Sequence, residues 1–175
     1  MDPADELVEA WRAELPDVLG PESELVKRVT LLSGAFGEAT AAALPEFGLT
    51  AAEFDVLATL RRAGQPYARK PNELTRSLLL SSGGTSNVLN RLVARGLVER
   101  RADPDDGRST WVVLTTAGVA LAEAAVRANT AAHAAVLGGV APETLATAAD
   151  ALRAVFAGVD SIRRPAGRPS RTNLR

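Results

Sequence analysis

The sequence predicts a mainly helical fold that carries one small β-hairpin. Three observations predict it. The 175 residues are 46% hydrophobic but only 4% aromatic, so the core is built mainly from Leu, Val and Ala. Apolar residues recur at helical spacing through most of the chain. Two short strand-like runs, LVERR (97–101) and TWVVL (110–114), flank the polar loop ADPDDGRS. The length suits one domain, or one domain with added helices.

Residues 5–15 read as a short helix ended by Pro16. A second runs from about Ser23 to Leu44, with Leu25, Val29, Leu32 and Phe36 on one face. The third begins at Thr50. Thr50 and Glu53 have capping-box spacing, and Leu49 and Phe54 flank the cap as a hydrophobic staple. Val56, Leu57 and Leu60 continue its apolar face, and Gly64 is its stop. Pro71 starts the short helix PNELTRSL, LSSGG makes a turn, and another helix runs from about Gly84 to Arg95, closed by Gly96. Its inner face is Val88, Leu89, Leu92 and Val93. Its outer face carries Thr85, Ser86, Asn87, Asn90 and Arg91. Two short helices around a tight turn, the second exposing hydroxyls, amides and an arginine, make a helix-turn-helix. The hairpin that follows is then a wing, and the module spans residues 50–114. Thr115 caps a long Ala-rich helix that Gly138 and Gly139 end near Leu137, and Pro142 starts a last helix to about Val159.

Four segments result: N-terminal helices (1–48), a winged helix-turn-helix lobe (49–115), C-terminal helices (116–160) and a basic tail (161–175) with the composition of a disordered segment. The apolar stripes outside the lobe call for a partner, and the same helices of a second copy supply one. A two-fold dimer places its two recognition helices ~34 Å apart and predicts a pseudo-palindromic site on double-stranded DNA.

The charge distribution agrees. Residues 1–60 carry 3 Lys/Arg against 12 Asp/Glu, whereas residues 61–110 carry 10 against 5, and the tail adds 5 arginines without an acid. The net charge of −1 therefore conceals a basic module in an acidic scaffold. The absence of cysteine excludes disulfides, thiolate metal sites and cysteine nucleophiles. A single histidine, His133 in an Ala-rich helix, gives no zinc site and no catalytic triad, and SSGG lacks the lysine and spacing of a phosphate loop. No enzyme, metal or cofactor is expected. The acidic N-terminus is unlike a signal peptide and no apolar run approaches ~18–20 residues, so a cytoplasmic, nucleoid-associated protein is expected.

Thr85, Ser86, Asn87 and Asn90 offer hydrogen bonds to base edges, and Arg91 reaches a guanine edge or a phosphate. Arg108 at the wing tip suits the minor groove. Asp103, Asp105 and Asp106 are turn residues, because no Glu closes a calcium loop. Arg69 and Lys70 are phosphate contacts or a solvated charge pair. The Gly-Arg-Pro of AGRPSR (166–171) is a short minor-groove-like segment, although its charge alone attracts phosphate. The competing class is a winged-helix protein-interaction scaffold, against which the polar, basic face argues.

LTAAEFDVLATLRRAG, PNELTRSLLLSSGGTSNVLNRLVARGLVERR, DPDDGRS and VVLTTAG, in this order and spacing over about residues 25–160, resemble the MarR family of transcriptional regulators. The resemblance implies a homodimer that represses or activates promoters and is loosened from DNA by a small anionic or phenolic ligand. It makes Arg108 the wing arginine, with Asp105 and Gly107 where basic residues are customary. The extra N-terminal helix, EFDVL and LLLSSGGTSN are similar to the urate-responsive branch, whose pocket residues match Trp11, Asp55 and Arg100. The branch's second arginine position holds Val88, which cannot pair with an anion. On physical grounds alone, Asp55 sits in an apolar run where an ionised carboxylate needs a partner, either a structural arginine such as Arg100 or a ligand. Trp11 is equally readable as a packing residue of the added helix.

Overall fold

A computed structural model describes residues 2–78, 82–103, 106 and 109–159. Residues up to 136 form one compact unit and those from 137 another. The first holds α1 (Pro3–Glu14), α2 (Glu22–Ala43), a 3-10 turn (Pro45–Phe47), α3 (Ala51–Arg62), β1 (Ala68–Arg69), α4 (Pro71–Leu78), α5 (Ser82–Ala94), β2 (Val98–Ala102), β3 (Thr110–Leu114) and α6 (Thr116–Val136). The second holds α7 (Pro142–Gly158). The mainly helical fold with a hairpin is present, and a third strand, β1, joins the expected hairpin. The sheet order is β1-β3-β2, antiparallel throughout, with Ala68 opposite Val113 and Arg100 opposite Val112. β1 has two residues, too few to display the alternation by which strands are read. Among the described residues no helix is long and apolar enough to cross a membrane.

The core gathers where α3, α4, α5, α6 and the sheet meet. Val56, Leu57, Leu60, Leu74, Leu92 and Val112 are fully buried there. Each such side chain contributes about 1.5–3 kcal/mol, more than an exposed ion pair such as Arg12–Glu24, at about 0–1 kcal/mol. Hydrophobic packing therefore sets the fold. α1 lies on α2, fastened by Arg28, whose Nε donates to Asp2 at 3.1 Å and whose Nη2 pairs with Asp5. Those two aspartates also form the capping box of α1.

At the start of α3 the predicted capping box is in place. Thr50 Oγ1 accepts from the Glu53 amide at 3.3 Å, and the Thr50 amide donates to Glu53 Oε2 at 2.9 Å. Leu49 and Phe54 beside it are both buried. Glu53 does more than cap. It is only 4% exposed, and it faces Arg91 of α5, whose Nε lies 3.2 Å from Oε1, and Arg95 just beyond that helix, whose Nη1 lies 3.7 Å from Oε2. Arg95 also donates to the Gly48 carbonyl at 2.9 Å. Burial pushes the Glu53 pKa up, but the two Thr50 hydrogen bonds and the two arginines outweigh it and hold the carboxyl below its ordinary value. α5 is thereby pinned to the beginning of α3.

α6 starts against the end of the α5–β2 connection. Thr115 Oγ1 donates to the Gly96 carbonyl at 2.7 Å and accepts from the Gly118 amide at 3.0 Å. Gly96, at φ +67°, takes the left-handed conformation that ends α5. Gly118 is buried so tightly that a Cβ on it would lie 1.9 Å from the Leu97 carbonyl oxygen. That neighbour is backbone and cannot swing aside.

Two consequences are testable by thermal unfolding. Gly118→Ala forces α6 away from the Leu97 carbonyl, and overpacking of this kind should cost about 3 kcal/mol, a fall in Tm of roughly 6–12 °C. An unchanged Tm would refute the close approach. Glu53→Gln keeps a residue able to complete the capping box but removes the charge facing Arg91 and Arg95, a loss of about 1–2 kcal/mol at neutral pH. Because the folded pKa of Glu53 is depressed, its contribution is present above the unfolded value and lost as pH falls through the folded one. The difference between wild type and variant should therefore close in acid.

Candidate nucleic-acid interface and effector cavity

The apolar row Val88, Leu89 and Leu92 turns α5 inward, and Thr85 extends the same row one turn earlier. Thr85 is 2% exposed and accepts a hydrogen bond from Thr75 Oγ1 at 3.1 Å, which ties α4 to α5. This corrects the expectation that Thr85 sits on the outer face: at three residues before Val88 it belongs to the buried stripe, and its hydroxyl is satisfied there. Val93, expected inside, is exposed. Ser86, Asn87 and Asn90 are exposed, as expected. Beside them, α4 and α5 enclose a groove of about 400 Å³ lined by Pro71, Asn72, Thr75, Arg76, Thr85 and Ser86.

Arg91 is more than half exposed, but its guanidinium rests on Glu53 at the flank of α5. Arg100 on β2 donates to Asn90 Oδ1 at 2.9 Å, so the wing touches the outer face of the helix. Lys70 is committed to the fold. Its ammonium lies 2.8 Å from the buried Asp103 carboxylate and 5.2 Å from the centre of the Trp111 ring, and the hydrogen bond to Asp103 raises its pKa. Arg69 lies in β1 with its guanidinium on the Ala68 carbonyl at 3.2 Å. Arg108 and the basic tail lie outside the described residues.

Neither Trp11 nor Arg100 lines the cavity beside Asp55. Trp11 is 46% exposed on α1, and Arg100 is engaged with Asn90. Asp55 is exposed, not in the core as an apolar run suggested, because α3 buries the opposite face through Glu53, Val56, Leu57 and Leu60. It lines a cavity of about 460 Å³ with Phe54, Ala58, Thr59, Arg62, Ser77 and Val126, contributed by α3, α4 and α6. The surrounding protein displaces enough water to raise the Asp55 pKa, an effect Arg62 partly offsets. Arg62 was missed in the sequence analysis although its signal was present: it stands seven residues after Asp55, on the same side of the helix. His133 is a packing residue. Its Nε2 is 2.8 Å from Thr40 Oγ1 and its ring 5.1 Å from that of Phe36. Among the described residues no group of His, Cys, Asp and Glu is placed to hold a metal ion.

The architecture and the sequence both have known counterparts. The profile of the MarR family matches residues 47–109. The HTH-type transcriptional regulator PecS of Dickeya dadantii (strain 3937) is 33% identical over 116 residues, which are 66% of this chain and 70% of that protein. A crystal structure of a mutant MarR from E. coli superposes with a TM-score of 0.68 at 28% identity, over 80% of this chain and 99% of that one. A mutant MarR complexed with operator DNA does so with a TM-score of 0.65 at 26% identity, over 83% and 97%. With a third of the aligned residues shared across more than two thirds of PecS, and the fold of MarR around them, the chain belongs to the MarR family of transcriptional regulators.

Proposed function

We propose that the protein is a homodimeric repressor that reads a pseudo-palindromic operator and is released from it by a small aromatic or anionic ligand. The observation that carries the reading is the outer row of α5. Ser86, Asn87 and Asn90 stand exposed and polar on a helix whose other side is locked into the core, with the wing alongside. Such a row suits base edges in a major groove, while Arg76, Arg91 and, on the wing, Arg108 suit phosphates or a minor groove. Two copies are supported by the apolar surface outside the lobe: Leu25, Val29 and Leu32 of α2 and Val155 and Phe156 of α7 are exposed in a single chain. A ligand site is supported by the Asp55 cavity, where Arg62 offers a charge to an anion, Asp55 an acceptor to a hydroxyl, and Phe54 an apolar wall.

DNA reading is tested by fluorescence anisotropy on an operator, selected from random DNA or taken from upstream of the gene, against a scrambled fragment. Wild type should prefer the operator ~10³-fold or more at physiological salt. Asn87→Ala and Asn90→Ala should each reduce that ratio ~10-fold or more while leaving binding to scrambled DNA almost unchanged. A selection that returns no preferred sequence would overturn the reading and favour a protein-interaction scaffold.

Effector binding is tested by melting the protein with a series of small aromatic acids. A ligand at 100 times its Kd adds about 2.7 kcal/mol and should lower operator affinity. Asp55→Asn and Arg62→Met should blunt both responses. No shift across the series in wild type would remove the effector from the proposal. Without ligand, Asp55→Asn should itself stabilise the protein at neutral pH. A raised folded pKa means that ionisation of Asp55 opposes folding as pH rises, so the gain should fade in acid.

A further inference from the structure

We infer that Arg100 is a specificity-determining residue: it turns the Asn90 amide so that Asn90 presents only hydrogen-bond donors to a base. The inference rests on the reading of α5 as the DNA-reading helix. An asparagine amide is ordinarily ambiguous, because it carries an acceptor and a donor on one rotatable plane. Free to rotate, it matches adenine in the major groove, accepting from N6 and donating to N7 with both ends facing the base.

That freedom is absent here. Arg100 Nη2 lies 2.9 Å from the Asn90 side chain, and a guanidinium has donors but no acceptor. The atom that faces it must therefore be Oδ1. With Oδ1 held toward β2, the bidentate approach to adenine is lost. Nδ2 has no partner among the described residues and is left as the end available to DNA. Its two hydrogens suit an edge that offers acceptors, guanine N7 and O6 or thymine O4.

The supports of the contact are themselves fixed. Asn90 is two residues after Val88 and two before Leu92, both in the core, so its backbone cannot drift. Arg100 is in register opposite Val112, which is fully buried in β3. The two side chains are therefore presented to each other by rigid elements rather than by a loop. Arg100 is exposed and has no acidic partner among the described residues, so a core role does not account for its placement.

The test compares wild type, Arg100→Met, Asn90→Ala and the double variant on an operator set in which every base pair is substituted in turn. Met keeps an apolar stem and cannot hold the amide. Arg100→Met should shift the preference at one base pair of each half-site from guanine or thymine toward adenine by on the order of 10-fold, leaving the other positions alone. In the Asn90→Ala background the same substitution should shift nothing, because no amide remains to be released. A uniform loss of affinity on all sequences would make Arg100 a phosphate contact and overturn the inference. So would an unchanged preference, or an adenine preference already present in wild type. If wild type discriminated at no position, the reading of α5 would fall first, and the inference with it. A melting curve confirms that each variant is folded.

Discussion

The carboxylate of Glu53 is the point on which the rest of the lobe depends. It closes the cap of α3, an order that arises within four residues, and it faces Arg91 on α5 and Arg95 just after it, an order that exists only once the chain has folded back. A carboxylate so buried is costly alone, and removing one side of such a pair leaves the other uncompensated. Local and long-range geometry are therefore coupled: the helix that begins at Ala51 and the helix that carries the exposed row Ser86, Asn87 and Asn90 hold one relative orientation.

Once α5 is oriented, its outer face follows without further choice. The buried row Thr85, Val88, Leu89 and Leu92 determines that Asn87 and Asn90 point away from the core, by the 3.6-residue period alone. The wing is positioned by separate links. Lys70 joins the start of α4 to Asp103 at the end of β2, Trp111 packs beneath its ammonium, and Arg100 reaches back to Asn90. Side-chain contacts thus join α5 and α4 to β2 and β3, the kind of support the proposed base-reading surface requires.

Much of this was legible in the sequence, and what was not has a common cause. Caps, stops and apolar periods are local, and Thr50, Gly64, Gly96, Thr115 and Pro142 all mark the ends the structure shows. Thr85 is polar yet buried, because its spacing from Val88 and Leu89 places it on the buried stripe, and polarity alone does not imply exposure. Asp55 is the converse case, an exposed residue between apolar neighbours that face elsewhere. The pairs that assemble the site, Glu53 with Arg91 and Arg95, Lys70 with Asp103 and Asn90 with Arg100, bridge separate elements. A linear pattern contains the members of such pairs but not the pairing, because many arginines in this segment were equally available.

The placement of the cavity gives α3 a particular standing. Asp55 and Glu53 are two residues apart, about 200° around the helix, so the helix that lines the cavity on one side holds α5 on the other. At its far end Arg61 pairs with Glu123 of α6 at 2.7 Å and stacks over Tyr67, just before β1. A ligand can shift such a system only by binding one arrangement more tightly than another. In the proposed regulator that difference need not travel far. Any ligand that draws Arg62 or Val126 inward changes how α3 meets α6, and a rigid α3 cannot tilt at Asp55 without moving the carboxylate that orients α5.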